Sequence, residues 1–164
     1  MNEELIAKYN IPVPRYTSYP TIPNWKGTPE FSRWIDSIQA VGDSPKVDLY
    51  IHIPFCQSLC WYCGCNRVIS KDSSKGTEYI SYLKKEWQLY IDQINDLEIN
   101  SIHFGGGTPN FLLQKDFKDL MDYFQNKQEH KIECSIEIDP RTIDSSYIDE
   151  LSTLDLKHVS LGVQ

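Results

Sequence analysis

The sequence predicts an α/β fold with parallel strands, either an open sheet or an incomplete TIM-like β/α barrel truncated after about four strands. Three observations predict it. β-Rich runs alternate with amphipathic helical stretches from residue 47 onward, an order that gives parallel strands joined by right-handed crossovers. Each strand keeps one apolar and one polar face. A cysteine cluster follows the first strand almost at once, at the strand end where parallel barrels place their chemistry.

The elements follow in order. Residues 1–29 hold Pro12, Pro14, Pro20, Pro23 and Pro29 and read as an extended arm with little regular structure. Phe31, Trp34, Ile35 and Ile38 stand at i, i+3, i+4 and i+7 and predict a first helix. Arm and helix together form a first segment, 1–46, and the β/α units occupy 47–164. Residues 47–54 read as a strand and 77–94 as a helix with Tyr79, Leu83, Trp87, Tyr90, Ile91 and Ile94 along one face. A short strand follows at 101–104, then a helix over 114–124 that aligns Phe117, Leu120, Met121 and Phe124. Strand 132–138, helix 145–154 and strand 157–163 complete the pattern. Gln164 ends a strand with no helix after it, so a truncated barrel is expected to expose one edge.

Strand parity sorts the side chains. Val47, Leu49, Ile51 and Ile53 share a face opposite Tyr50 and His52; Ile132, Cys134, Ile136 and Ile138 oppose Glu133, Ser135 and Glu137. Val159, Leu161 and Val163 oppose His158, Ser160, Gly162 and Gln164. The apolar face must meet the helices. The polar face, with Tyr50, His52, His103, Glu137 and Gln164, lines a ligand cavity if the sheet curves into a barrel. Parity alone fits an open sheet with one wet face equally well.

Composition narrows the class. Hydrophobic residues make up 40% of the 164 and charged residues 24%, enough for a core and too ordered a mixture for a disordered chain. The net charge of -7 argues against a general nucleic-acid surface. No apolar run reaches the roughly 20 residues a membrane span needs. The start, Met1-Asn2-Glu3-Glu4-Leu5, lacks the basic flank and apolar stretch of a signal peptide. The expectation is a cytoplasmic protein whose thiols stay reduced.

Four of the five cysteines fall between positions 56 and 65. Such short spacings cannot staple much chain, and one cysteine would be left over, so ligation of a cofactor is the better reading. Cys56, Cys60 and Cys63 stand in a C-x3-C-x2-C pattern. Thiolates are soft ligands that suit iron–sulfur clusters or zinc. Three close cysteines can hold three irons of a 4Fe–4S cluster and leave the fourth open to a ligand. Zinc is the alternative, but zinc sites pair C-x2-C units far apart, and no second pair is present here. Cys134 faces the helix layer, where a free cysteine is an ordinary small hydrophobe. Gly105-Gly106-Gly107-Thr108-Pro109 follows the second strand; such glycines let backbone approach a ligand closely, or simply make a tight turn.

The spacing of Cys56, Cys60 and Cys63, with aromatic Tyr62 before the third cysteine, resembles the radical S-adenosylmethionine superfamily. Further segments resemble one of its families, the oxygen-independent coproporphyrinogen III oxidases. They are Pro14-Arg15-Tyr16-Thr17-Ser18-Tyr19-Pro20-Thr21, Tyr50-Ile51-His52-Ile53-Pro54-Phe55-Cys56, Cys60-Trp61-Tyr62-Cys63-Gly64-Cys65-Asn66, the glycine run, Ile136-Glu137-Ile138-Asp139-Pro140-Arg141 and Leu161-Gly162-Val163-Gln164. The resemblance covers essentially the whole chain, which would be about the first third of a family member. It selects the partial barrel of the radical SAM type over the open sheet.

The resemblance implies a mechanism. Cys56, Cys60 and Cys63 would hold a 4Fe–4S cluster whose open iron chelates S-adenosyl-L-methionine. Cleavage of that cofactor would give a 5'-deoxyadenosyl radical, which takes a hydrogen from a propionate of coproporphyrinogen III. Loss of one electron and of carbon dioxide would then turn each of two propionates into a vinyl group, giving protoporphyrinogen IX. Tyr50, Tyr62, Gly106, Gly107, Thr108, Glu137 and Gln164 would contact S-adenosylmethionine, of which the family holds two. His52 would support the cluster, and Cys65 would serve turnover without ligating iron. Arg15, Tyr16 and Tyr19 would lie over the substrate or pack as a surface arm, and Arg141 would be a structural partner of Asp139 or of a loop carbonyl. The implied partners are the porphyrinogen and a reduced electron donor such as flavodoxin or ferredoxin, with no nucleic acid and no membrane, in a monomer. The alternative within the superfamily is a haem chaperone, against which Cys65 and the Tyr-Thr-Ser-Tyr-Pro arm count. The 164 residues alone are expected to be inactive.

Overall fold

The computed structural model describes residues 3–10, 24, 26–28, 30–42 and 45–164. The chain divides into two compact units, Met1–Trp34 and Ile35–Gln164. In the first unit, residues expected to be irregular form a helix, α1 (Glu3–Tyr9). Glu3 and Glu4 in its first turn and Lys8 in its last complement the helix dipole, a local signal that the nearby prolines obscure. The proline-rich segment that carries Arg15, Tyr16 and Tyr19 lies outside the described residues.

Helix α2 (Phe31–Gln39) brings Ile35 into the core of the second unit, and its Gln39 Nε2 donates to the carbonyl of Gln93 at 2.8 Å. The order then runs β1 (Lys46–Ile53), β2 (Phe55–Cys56), β3 (Val68–Ile69), α3 (Ser74–Ile91), β4 (Glu98–Gly106), α4 (Gln114–Gln125), β5 (Glu133–Ile138), α5 (Ser145–Thr153) and β6 (Leu156–Leu161). β1, β4, β5 and β6 form one sheet in that order, with every neighbouring pair parallel. This is the sequential, singly wound order of a barrel segment.

Periodicity explains the core. Ile51, Ile53, Ile99, Ile102, Phe104, Cys134, Ile136 and Ile138 point from one sheet face into a cluster with Ile80 and Trp87 of α3 and Phe117, Leu120 and Phe124 of α4. Phe104 meets Phe117 edge-on with ring centroids 4.8 Å apart. Tyr147 of α5 joins the same layer. The opposite face carries Tyr50, His52, His103, Ser135 and Glu137, none of them buried. The burial patterns of β1 and β5 thus follow the two-residue period.

β6 departs from expectation. Val159 and Leu161 are 47% and 62% exposed and Val163 fully so, although their face was expected to meet helices. The physical reason is that, among the described residues, β6 is an edge strand hydrogen-bonded to β5 on one side. The strand expected at 101–104 runs longer, from Glu98 to Gly106, because its pairing with β1 continues through polar positions that periodicity does not flag. Among the described residues, no helix is long and apolar enough to cross a membrane.

Candidate functional site

Cys56 ends β2, three residues beyond the end of β1, and the chain that carries Cys60, Cys63 and Cys65 returns as β3. β2 and β3 pair in parallel, Phe55 with Val68 and Cys56 with Ile69. Val68 N–H donates to Pro54 O at 2.7 Å and Ser70 N–H to Cys56 O at 2.9 Å, closing the loop at its base. This clasp, only two residues a strand, has no periodicity by which a sequence could show it. Phe55 anchors it, stacked on Phe111 at 5.1 Å and edge-on to Tyr79 at 5.6 Å. Within the loop, Cys63 N–H donates to Cys60 O at 3.2 Å.

The glycine run enters from β4. Gly107 N–H donates to Ile53 O at 2.8 Å, and a Cβ on Gly107 would lie 2.9 Å from Cys56 Sγ and from Phe55 O. Gly106 has φ +113°, a conformation side chains disfavour, and its missing Cβ leaves room for the His52 ring, whose Nδ1 would lie 2.6 Å away. Thr108, buried, donates from Oγ1 to Cys56 Sγ at 3.3 Å. Burial pushes the Cys56 thiol up, and the Thr108 hydroxyl opposes that shift.

The polar sheet face forms a connected set. His52 Nε2 sits 2.7 Å from Asn66 O. A carbonyl only accepts, so Nε2 carries the proton and Nδ1 accepts from Tyr50 O–H at 3.2 Å. Tyr50 also stacks on His103 at 5.9 Å, and His103 reaches Ser135 Oγ at 2.7 Å and Glu137 Oε1 at 3.4 Å. Burial, with Glu137 and Cys65 adding, raises the Tyr50 phenol.

The cysteines differ in setting. Cys56 is buried, Cys60 and Cys63 are half-buried, and Cys65 is exposed. Cys134, buried in the helix layer, has its thiol pushed up to about 11 by burial, with Asp155 adding. Cys60 Sγ lies 2.6 Å from Gln164 Oε1 and 3.5 Å from Arg141 Nη2. The site therefore brings Gly107 and Thr108 onto Cys56, and Gln164 onto Cys60, by direct contact, and sets Tyr50, His52, Gly106 and Glu137 at the polar face. Tyr62 is 66% exposed on the loop. Arg141 beside Cys60 was missed as a site residue; its motif showed only the pairing with Asp139.

The donor set fits an iron–sulfur cluster. Three thiols sit on one clasped loop, and glycine leaves the space beside Cys56 free of side chain. Among the described residues, no three His, Cys, Asp or Glu side chains are arranged to hold one metal ion. That convergence, ~2.3 Å from each sulfur to one centre, is a demand of a single ion. A cluster takes each thiolate on a separate iron.

Comparison with known proteins agrees with this chemistry. Oxygen-independent coproporphyrinogen III oxidase of Salmonella typhimurium is 35% identical over 162 residues, covering 98% of this chain and 35% of the relative. That of Pseudomonas aeruginosa is 37% identical over 171 residues, covering 98% and 36%. The solved structure of coproporphyrinogen III oxidase from Escherichia coli, described as a radical SAM enzyme, matches with a TM-score of 0.82 at 29% identity, covering 98% of this chain and 36% of that one. The chain thus spans about a third of the length of the relatives it matches, and its sheet is part of a barrel. The family model of the radical SAM superfamily matches residues 50–164, most of the chain, from the polar face of β1 through the cysteine loop to Gln164, and the chain belongs to that superfamily.

Proposed function

We propose that this chain supplies the cluster- and cofactor-binding part of an oxygen-independent coproporphyrinogen III oxidase. The observation that carries the proposal is the packing of the glycine loop against the first cysteine, Gly107 and Thr108 on Cys56, in a chain 35–37% identical to oxidases of that name. Membership of the superfamily brings a 4Fe–4S cluster and S-adenosylmethionine. When bound, that pair supplies one-electron chemistry able to remove hydrogen from an unactivated carbon, which side-chain acids and bases cannot do.

The chain's own residues bind, orient and shield. Cys56, Cys60 and Cys63 would hold the cluster, and Tyr62 would pack on the adenine of S-adenosylmethionine. Gly106, Gly107 and Thr108 offer close backbone and a hydroxyl to its polar end. Tyr50, Glu137 and Gln164 contact the cofactor from the polar face, some of them serving a second molecule of it. His52 fixes the far limb of the cysteine loop through Asn66 O. Cys65, exposed beside the loop, serves turnover rather than iron. The overall reaction converts two propionates of coproporphyrinogen III to vinyl groups, each giving up a β-hydrogen to the cofactor-derived radical and then one electron and carbon dioxide. The protein acts as a cytoplasmic monomer that receives electrons from a reduced flavodoxin or ferredoxin, and the 164 residues alone do not turn over.

A chimera tests this reading. These residues replace the matching segment of the Salmonella typhimurium oxidase, and anaerobic formation of protoporphyrinogen IX is measured with S-adenosylmethionine and dithionite. Activity within about tenfold of the parent, abolished by Cys63→Ala, is expected. A chimera that loads its cluster and releases methionine but leaves coproporphyrinogen III untouched would defeat the assignment of substrate.

A further inference from the structure

Arg141 lies 81 positions from Cys60 in sequence, yet its Nη2 stands 3.5 Å from the Cys60 sulfur. Its place is imposed from beneath. Asp139 is 5% exposed and caps the 3-10 turn Pro140–Thr142, its Oδ1 accepting from Arg141 N–H at 3.0 Å. The same carboxylate grips the guanidinium, accepting from Nε at 3.0 and 3.2 Å and from Nη2 at 2.6 Å. Asp139 is itself held by buried Asn110, whose Oδ1 accepts from Asp139 N–H at 3.0 Å. Asn110 Nδ2 reaches Asp139 O at 3.3 Å and Thr142 Oγ1 at 2.7 Å. Asn110 follows the glycine run directly, so one polar chain runs from that loop through Asp139 to Arg141 and on to the sulfur.

We infer that Arg141 is a positioning residue that donates an N–H···S bond to Cys60 and thereby raises the reduction potential of the cluster. The inference rests on the reading of Cys60 as a cluster ligand. The physics is that of outer-shell control: hydrogen bonds to ligand sulfur and nearby positive charge favour the reduced, more negative state. Arginine stays charged, and its planar fork lets Nε and one Nη2 hydrogen pair with Asp139 while the second Nη2 hydrogen faces the sulfur. A purely structural role, capping the 3-10 turn, needs the Asp139 pairing but not the contact with sulfur.

The chain, reconstituted anaerobically with iron and sulfide, is compared with Arg141→Met and Arg141→Lys. Iron and sulfide content is measured first, then the midpoint potential by an EPR-monitored titration, then the melting temperature. The expected result is equal cluster content and, for Arg141→Met, a reduced-to-oxidised ratio about tenfold lower at a fixed potential, a midpoint ~59 mV more negative. Arg141→Lys keeps charge without the fork and should fall between. Unchanged midpoints with only a lower melting temperature would overturn the inference. If Arg141→Met fails to hold a cluster, the lysine variant decides: a midpoint equal to the parent's overturns the inference, and one below it supports it. A parent chain that loads no cluster would remove the reading of Cys60, a failure seen in the iron analysis before any potential is read.

Discussion

Thr108 Oγ1 lies 3.3 Å from Cys56 Sγ, so the loop after β4 and the loop after β1 meet at one sulfur. A Cβ on the adjoining Gly107 would stand 2.9 Å from that sulfur and equally close to the backbone of Pro54 and Phe55. Neither neighbour can yield: the sulfur belongs to a buried cysteine, and the backbone is pinned by the β2–β3 clasp.

Gly107→Ala should therefore push the two loops apart. The expected cost is about 1–3 kcal/mol of stability, the usual range for overpacking, with iron content after reconstitution falling below the parent's. Thermal unfolding and iron analysis check it. An alanine variant that melts with the parent and loads a full cluster would show that the contact is slack.

Asp139 gives a signature at low pH. The Arg141 hydrogen bond holds its carboxyl below the usual carboxylate range, against burial. A depressed folded-state value means that the unfolded chain takes up the proton first as pH falls. The pair's contribution is thus complete above about pH 4 and lost as pH drops through the lower, folded value. Because the Arg141 side chain is 43% exposed, solvent screens the pair. Asp139→Asn should cost about 1–2 kcal/mol at pH 7 and progressively less below pH 4. Parallel acid limbs for parent and variant in denaturant titrations would contradict this.

Much of the frame could be read from the chain because it is written in short periods. The alternation of Ile51 and Ile53 with Tyr50 and His52 fixes which side of β1 meets the helices, and the buried and polar faces fall as that alternation requires. The cysteine spacing marked the loop. What stayed hidden depends on contacts without local pattern. The β2–β3 clasp is two residues wide, and the bond of Asn110 to Asp139 spans 29 positions. Arg141 looked like a partner of Asp139, which it is, but its reach to Cys60 depends on a 3-10 turn that only the folded chain displays. The outward face of β6 was misjudged because a strand's periodicity does not say whether a neighbour covers it.

His52 ties two ends of the site. Its Nε2–H donates to Asn66 O at 2.7 Å, across 14 positions of the cysteine loop. His52→Phe keeps a ring beside Gly106 but loses the donor. The expected loss is about 1 kcal/mol, with faster amide hydrogen exchange confined to residues 64–67. Unchanged protection there would mean that the β2–β3 clasp holds the loop without help.

The last prediction concerns the cysteine outside the site. Cys134 is 6% exposed among the helix-facing side chains of the sheet, and its thiol is raised from 9.0 to about 11, chiefly by burial. The unfolded chain then gives up this proton first as pH rises. Stability is whole below pH 9 and declines between 9 and 11, by up to roughly 3 kcal/mol over those two units. Tyr147, raised by burial from 10.0 to about 12, adds a second decline between pH 10 and 12. Cys134→Val fills similar space with nothing to ionise, so it should flatten the limb between pH 9 and 10 and leave the Tyr147 limb, which opens near pH 10, in place. Denaturant midpoints measured across that range separate the two. Should the valine variant lose stability as steeply as the parent from pH 9, the decline would have to come from groups other than Cys134, and the packing of its thiol in a dry helix–sheet layer would be the premise at fault.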